Sequence, residues 1–275
     1  MATIPLEDNF NDILQKAQRG LRLSDEQLAV RAGVPLSDLR RILAGEFAED
    51  VVQKLAPALQ LGAAALLENG RKSWRPAPQS LAGLAAFNTV YADMTVNAYL
   101  IWDPKTKQAA AFDTGSDGED LLAAAGESKL KIKRILVTHT HGDHIADLDR
   151  LTAATGATVH VSRREPVEGA ELFDEGATFK LGNLTIEARA TTGHSRGGTT
   201  YVVRGLERPV AVVGDALFAG SMGGGLVSYD DALRNNREKI LTLPEDTVIC
   251  PGHGPLTTVG EEKQHNPFFP EFRAA

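Results

Sequence analysis

The stretch Thr138–His144 reads T-H-T-H-G-D-H and places three imidazoles and one carboxylate within six consecutive positions. It follows Ile132–Val137, which reads as a strand running into a loop. Such crowding asks for a metal ion. Imidazole with carboxylate suits zinc first, with iron or manganese also fitting, whereas calcium and magnesium want oxygen alone. Three further candidates stand where other strands would deliver them to the same rim: His194 in T-T-G-H-S after Leu184–Ala190, Asp215 in V-G-D-A-L after Val210–Val213, and His253 in C-P-G-H-G-P after Thr247–Ile249. His194 and His253 each follow a glycine, which lets backbone approach a crowded site. A lone aspartate after a strand more often caps a helix, and a lone histidine is more often structural. Four such hits in chain order point to one site.

These residues resemble the metallo-β-lactamase-fold hydrolases, whose pattern is H-x-H-x-D-H followed by a separate histidine, an aspartate and a last histidine. Within that superfamily, Gly214–Gly223 (G-D-A-L-F-A-G-S-M-G) and the tail Pro251–Phe269 are similar to the glyoxalase II branch, the hydroxyacylglutathione hydrolases. The resemblance covers about residues 81–270. It implies that His139, His141 and His194 hold one metal ion, that Asp143, His144 and His253 hold a second, and that Asp215 bridges both. Two divalent ions about 3.5–4 Å apart would hold a hydroxide able to attack a thioester or related carbonyl ester, with Asp143 orienting it and taking its proton. No protein nucleophile is then needed, and no serine or cysteine elbow stands out. The rival enzymes are a mononuclear iron persulfide dioxygenase using chiefly His139, His194 and Asp215, and a lactonase or phosphodiesterase keeping all seven ligands. The rival from another class is a DNA-binding regulator whose metal domain senses a ligand.

Length and composition agree with a two-part α/β protein. The chain has 275 residues, enough for more than one typical domain, and 43% hydrophobic residues can build a sizeable core. No stretch approaches the roughly 18 uninterrupted apolar residues of a membrane span, and Met1–Phe10 has neither the basic start nor the apolar centre of a signal peptide. The single cysteine, Cys250, excludes an internal disulfide and reads as a small buried residue, so a reducing cytoplasm is expected. A net charge of −7 with no long run of one sign does not favour a nucleic-acid partner.

Character changes near residue 71. Arg71–Ser80 combines two prolines with polar residues and reads as a linker between a helical part, residues 1–70, and a mixed part, residues 81–275. In the mixed part, strands such as Thr95–Trp102, Ala109–Asp113 and Thr158–Ser162 alternate with helices such as Gly118–Ala125 and Ala146–Ala154. This suits two sheets flanked by helices, the αββα sandwich that the resemblance implies.

The helical part has its own pattern. Leu23–Gly45 resembles the helix-turn-helix of the Cro/C1 repressor family. Ser24 and Gln27 form a capping box, Gly33 tolerates a left-handed turn, and Pro35 opens the next helix where its missing N–H costs nothing. Leu28, Val34, Leu39, Ile42 and Leu43 would pack between the helices. The charges are wrong for a duplex, however. Asp25, Glu26 and Asp38 stand where such domains meet phosphates, and only Arg40 and Arg41 compensate. Residues 1–70 hold 7 basic against 10 acidic side chains. The reading is a module used for homodimerisation or to roof the active site rather than to bind DNA.

The expected partner is a small-molecule thioester or ester. A glutathione thioester carries carboxylates, and cationic or tyrosyl candidates near the mouth are Arg163, Arg164, Arg196 and Tyr229, of which Arg196 and Tyr229 are preferred. The chain departs from the glyoxalase II pattern at S-R-G-G after His194 and at M-G-G-G-L-V-S-Y after Ser221. His160 reads as structural, His265 as a surface or substrate-edge residue, and Asp113 as support for the site rather than a catalyst.

Overall fold

In a computed structural model the described residues are 4–273; Met1, Ala2 and Thr3 of the N-terminal stretch read above lie outside them. Five helices precede the first strand: Phe10–Gly20 (α1), Asp25–Ala32 (α2), Leu36–Leu43 (α3), Glu49–Ala58 (α4) and Ala63–Gly70 (α5). In α1 the apolar residues Phe10, Ile13, Leu14 and Ala17 recur at helical spacing and are all buried. The capping box at α2 is present: Ser24 Oγ accepts from the Gln27 N–H at 3.2 Å, and Gln27 Oε1 accepts from the Ser24 N–H at 2.9 Å. Gly33 ends α2 with φ 64°. Pro35 stands one position earlier than expected, capping α3 in an extended conformation rather than filling its first turn. Its fixed φ suits either place. Leu28, Val34, Leu39 and Ile42 are buried as expected, and Leu43 is half-buried. Arg40 lies 3.8 Å from Asp25 and 3.5 Å from Glu26, while Arg41 pairs with Glu46 and Asp38.

Strands Leu84–Tyr91 (β1), Met94–Trp102 (β2), Gln108–Phe112 (β3), Lys131–Leu136 (β4), Thr158–Ser162 (β5) and Glu171–Phe173 (β6) form one sheet in chain order. Thr178–Leu181 (β7), Leu184–Ala190 (β8), Thr199–Arg204 (β9), Val210–Gly214 (β10), Val248–Pro251 (β11) and Thr257–Thr258 (β12) form the second. Both sheets mix parallel and antiparallel pairs. The helices of this part are Glu119–Glu127 (α6), Gly142–Ile145 (α7), Leu148–Thr155 (α8), Tyr229–Asn235 (α9) and Val259–His265 (α10). Boundaries fall within two residues of the expected ones, except that the short α7 lies where the sequence reads as a loop.

Alternation of side chains along the strands divides the interior into layers. Tyr99, Ile101, Phe112, Val210, Val212 and Cys250 face inward between the sheets. Their neighbours Ala98, Leu100 and Ala111 face α6 and α8. On the other sheet, Val202, Ala211, Val213 and Ile249 share one apolar core with Ile13, Leu14, Leu28, Leu55 and Leu66 of the N-terminal helices. The helices before the first strand thus supply the outer layer over the second sheet. Arg71–Ser80 holds neither helix nor strand, but it is packed: the Trp74 ring stacks on His265 at 4.5 Å. No helix among the described residues is long and apolar enough to cross a membrane.

Because Ile13 is wholly buried in that shared core, Ile13→Ala should destabilise the protein by about 2–5 kcal/mol. Denaturant unfolding followed by circular dichroism and by tryptophan fluorescence should still give one coincident transition. Two separated transitions would show that the helical layer and the second sheet do not share a core.

Candidate metal centre

The seven side chains singled out in the sequence converge at one end of the sandwich, each delivered by a strand end. The loop after β4 carries His139 and His141, α7 carries Asp143 and His144, and the segments after β8, β10 and β11 carry His194, Asp215 and His253. His141 Nδ1 lies 3.0 Å from His139 Nε2 and 3.1 Å from His194 Nε2. Opposite them, Asp143 Oδ2 lies 3.4 Å from His144 Nε2 and 3.3 Å from His253 Nε2. Asp215 stands between the two groups: Oδ2 is 3.3 Å from His194 Nε2 and 3.5 Å from His253 Nε2, and Oδ1 is 3.3 Å from His144 Nε2.

The far nitrogens of the rings decide what the near ones can do. His144 Nδ1–H donates to Asp113 at 2.8 Å, His253 Nδ1–H to the Thr95 carbonyl at 2.6 Å, and His194 Nδ1–H to the Gly224 carbonyl at 3.1 Å. A carbonyl oxygen can only accept, so Nδ1 of His194 and His253 keeps its proton and Nε2 is the ring nitrogen that faces the centre, free to bind a cation once it carries no proton. Several lone pairs and two carboxylates aimed at one small space repel one another unless a cation lies between them. His144 Nε2 and Asp215 Oδ1 are buried without a hydrogen bond of good geometry, which divalent ions would resolve. The donor set, five imidazole nitrogens with two carboxylates, therefore fits zinc, iron or manganese.

The electrostatics carry the same message. Burial opposes charge at His144, yet Asp215 and Asp113 push its pKa up to about 10; at His253, burial is overcome by Asp143 and Asp215, which push it up to about 11. Burial and the neighbouring His144 hold His139 well below its usual value. Burial would raise the Asp215 carboxyl, but His144 and His253 keep it well below the usual carboxylate range. The field that attracts a proton to His144 and His253 would equally favour a metal ion in that proton's place.

Close approach requires glycine at one point in particular. A Cβ on Gly252 would lie 2.0 Å from Asp215 Oδ1. Behind the rings, Asp113 does the supporting work expected of it, accepting from the Thr138 N–H at 2.7 Å and from Thr138 Oγ1 at 2.8 Å besides His144. Glu165 was not anticipated. It accepts from the Thr140 N–H at 3.1 Å and thereby holds the loop between His139 and His141. Glu7 was missed too: it packs against Gly254, and burial raises its carboxyl against the pull of His253. No short-range pattern could have revealed either, since both act across the fold.

The remaining candidates separate. Tyr229 is buried beside the Gly224–Ser228 loop, whereas Arg196 is exposed two residues after His194 with no ion pair among the described residues. Arg163 pairs with Asp174 at 3.3 Å, and Arg164 lines a separate surface cavity. His160 meets Arg134 at 2.8 Å and lies against Phe179, away from the centre. His265 is bound to Glu68 at 2.8 Å, so it ties α10 to the helical layer. Cys250 is wholly buried, and burial pushes its thiol well up.

A two-sheet sandwich with this cluster at its rim defines a class, and the comparisons agree: the sequence pattern of the metallo-beta-lactamase superfamily matches residues 92–253, and the chain belongs to that superfamily. Hydroxyacylglutathione hydrolase GloC of Haemophilus influenzae is 32% identical over 197 residues, covering 62% of this chain and 92% of that protein. Among solved structures, ETHE1 from Myxococcus xanthus is similar at TM-score 0.60 with 27% identity, over 68% of this chain and 85% of the other. TTHA1623, solved in a di-iron-bound form, is similar at TM-score 0.53 with 27% identity, over 66% and 99%.

Removing Asp113 leaves the His144 ring without an anchor, so Asp113→Ala should weaken metal binding about 10–100-fold in a chelator competition. His160→Ala should leave it unchanged. Equal affinities in both variants would refute the supporting role of Asp113.

Proposed function

We propose that the chain is a dinuclear metal-dependent hydrolase acting on a thioester or related carbonyl ester. The observation that carries this reading is Asp215, whose two carboxylate oxygens face His144 on one side and His194 and His253 on the other. In the proposed assignment His139, His141 and His194 hold one ion, Asp143, His144 and His253 hold the other, and Asp215 is shared. Two close divalent ions would bring the pKa of a water towards about 7 and polarise a carbonyl oxygen. The chain's own part is positional. Asp143 turns Oδ2 towards His144 and His253 and leaves Oδ1 without a hydrogen bond among the described residues, so Oδ1 can orient a water and accept its proton. Hydrolysis of a thioester is the substrate reading supported by the likeness to the hydroxyacylglutathione hydrolase, and zinc, iron and manganese all suit the donors.

The same reading covers the N-terminal helices, which we take to roof the active site rather than to bind DNA. Arg40 and Arg41 are already paired with Asp25, Glu26, Asp38 and Glu46. A duplex would have to compete with those carboxylates for them, while Asp25 and Glu26 repel its phosphates.

Two tests follow. Elemental analysis of the dialysed protein should find close to two ions per chain, and chelation should abolish turnover of a thioester and lactone panel. Asp215→Asn should lose at least one ion and most of the turnover. A single iron, with oxygen consumed on a persulfide, would overturn the hydrolase reading. In a salt titration against duplex DNA, the protein should show no submicromolar binding at physiological ionic strength. Tight, steeply salt-dependent binding lost in Arg40→Ala/Arg41→Ala would favour a regulator.

A further inference from the structure

We propose that the groove between α1 and the Gly224–Ser228 loop is an anion-binding subsite that seats the carboxylate- or phosphate-bearing thiol half of the substrate. This rests on the thioester reading above. The groove holds about 270 Å³ and is lined by Lys16, Arg19 and Arg22 on one side and by Gly224, Val227 and Tyr229 on the other. Lys16 is committed: its Nζ donates to Asp8 Oδ2 at 2.5 Å and to the Met222 carbonyl at 2.9 Å. Arg19 and Arg22 are exposed and have no carboxylate within ion-pair distance among the described residues. Other arginines of this chain, such as Arg40, Arg41, Arg71 and Arg150, are paired with carboxylates. In a chain with 36 acidic against 29 basic side chains, this groove gathers two guanidinium groups that have no carboxylate partner among the described residues. Arg22 also holds a left-handed backbone, φ 55°, where glycine or asparagine would cost less.

The groove belongs to the metal centre by construction. Gly224 lines it, and the Gly224 carbonyl accepts the hydrogen bond that orients His194. Gly224 is thus the residue that the groove and the support of the metal centre share, standing behind the His194 ring. The helix can close on the loop only because residue 20 is glycine: a Cβ there would lie 2.3 Å from the Tyr229 ring. On the rim, Leu226 and Val227 are 73% and 52% exposed. Apolar rim and cationic wall together suit a long thiol with an apolar spacer and an anionic end, which arginine binds through paired hydrogen bonds. Glutathione offers carboxylates and coenzyme A offers phosphates; the chemistry that the groove reads is the same.

The test uses the metal-loaded full-length protein and three acetyl thioesters: of glutathione, of coenzyme A, and of the neutral N-acetylcysteamine. In Arg19→Ala/Arg22→Ala, kcat/KM should fall about 10–100-fold for the anionic thioester that the wild type prefers, chiefly through KM. The neutral thioester should change less than about twofold, with metal content and melting temperature unaltered. Arg19→Lys/Arg22→Lys should recover part of the loss. A second readout is calorimetric binding of S-methylglutathione and S-methyl coenzyme A, which have no free thiol to bind metal. If either binds through the arginines while no thioester is hydrolysed, the reaction reading falls and the subsite stands. If neither binds, or both bind the double variant as well as the wild type, the subsite is overturned whatever the turnover. An equal loss on the neutral thioester would likewise overturn it.

Discussion

The rest of the structure turns on one buried anion. Asp215 is 8% exposed and surrounded by imidazoles, and a carboxylate taken out of water at that depth is costly unless it is compensated. Protonated histidines compensate it in part, and divalent ions would do so more fully, because they would also satisfy the lone pairs of the surrounding rings. Much of the surrounding architecture keeps that compensation in place. Asp113 and two backbone carbonyls, of Thr95 and Gly224, fix the rings. Asn97 Nδ2 and Tyr99 Oη–H donate to the Pro251 carbonyl and hold the loop that carries His253. A polar network of this kind is stable only when it is complete.

How much of this is legible in the sequence depends on the range of the interaction. The residues that converge at the rim are legible because T-H-T-H-G-D-H follows one strand end while His194, Asp215 and His253 each follow a β-branched run. The layers are legible from alternation, and the helical start from the Ser24 box and Gly33. What sequence does not reveal are contacts closed by tertiary packing. Glu165 reaches back 25 positions to Thr140, and Glu7 reaches Gly254 from the other end of the chain. Pro35 is displaced by one residue because its φ fits both the cap and the first turn, and local chemistry cannot choose between them. His265 reads as an edge residue because nothing near it in sequence names Glu68 as its partner.

The same limit hides the role of the helical layer. From sequence it is a separate module joined by a proline-containing segment. In the fold its apolar face is the complement of Val202, Ala211, Val213 and Ile249, and its first helix lays Lys16 against Asp8 and Met222 at the edge of the metal centre. Burying an apolar sheet face is enough to explain why the helices dock where they do. Docking then puts Lys16 and Arg19 of α1 beside the Gly224–Ser228 loop, whose Gly224 carbonyl orients His194.

The central claim is that Asp215 holds two ions close together, and spin coupling reports that most directly. Metal-free protein loaded with two equivalents of Mn²⁺ should give an exchange-coupled electron paramagnetic resonance spectrum, as expected for ions about 3.5–4 Å apart. The uncoupled six-line spectrum of isolated Mn²⁺ at full loading would contradict the account.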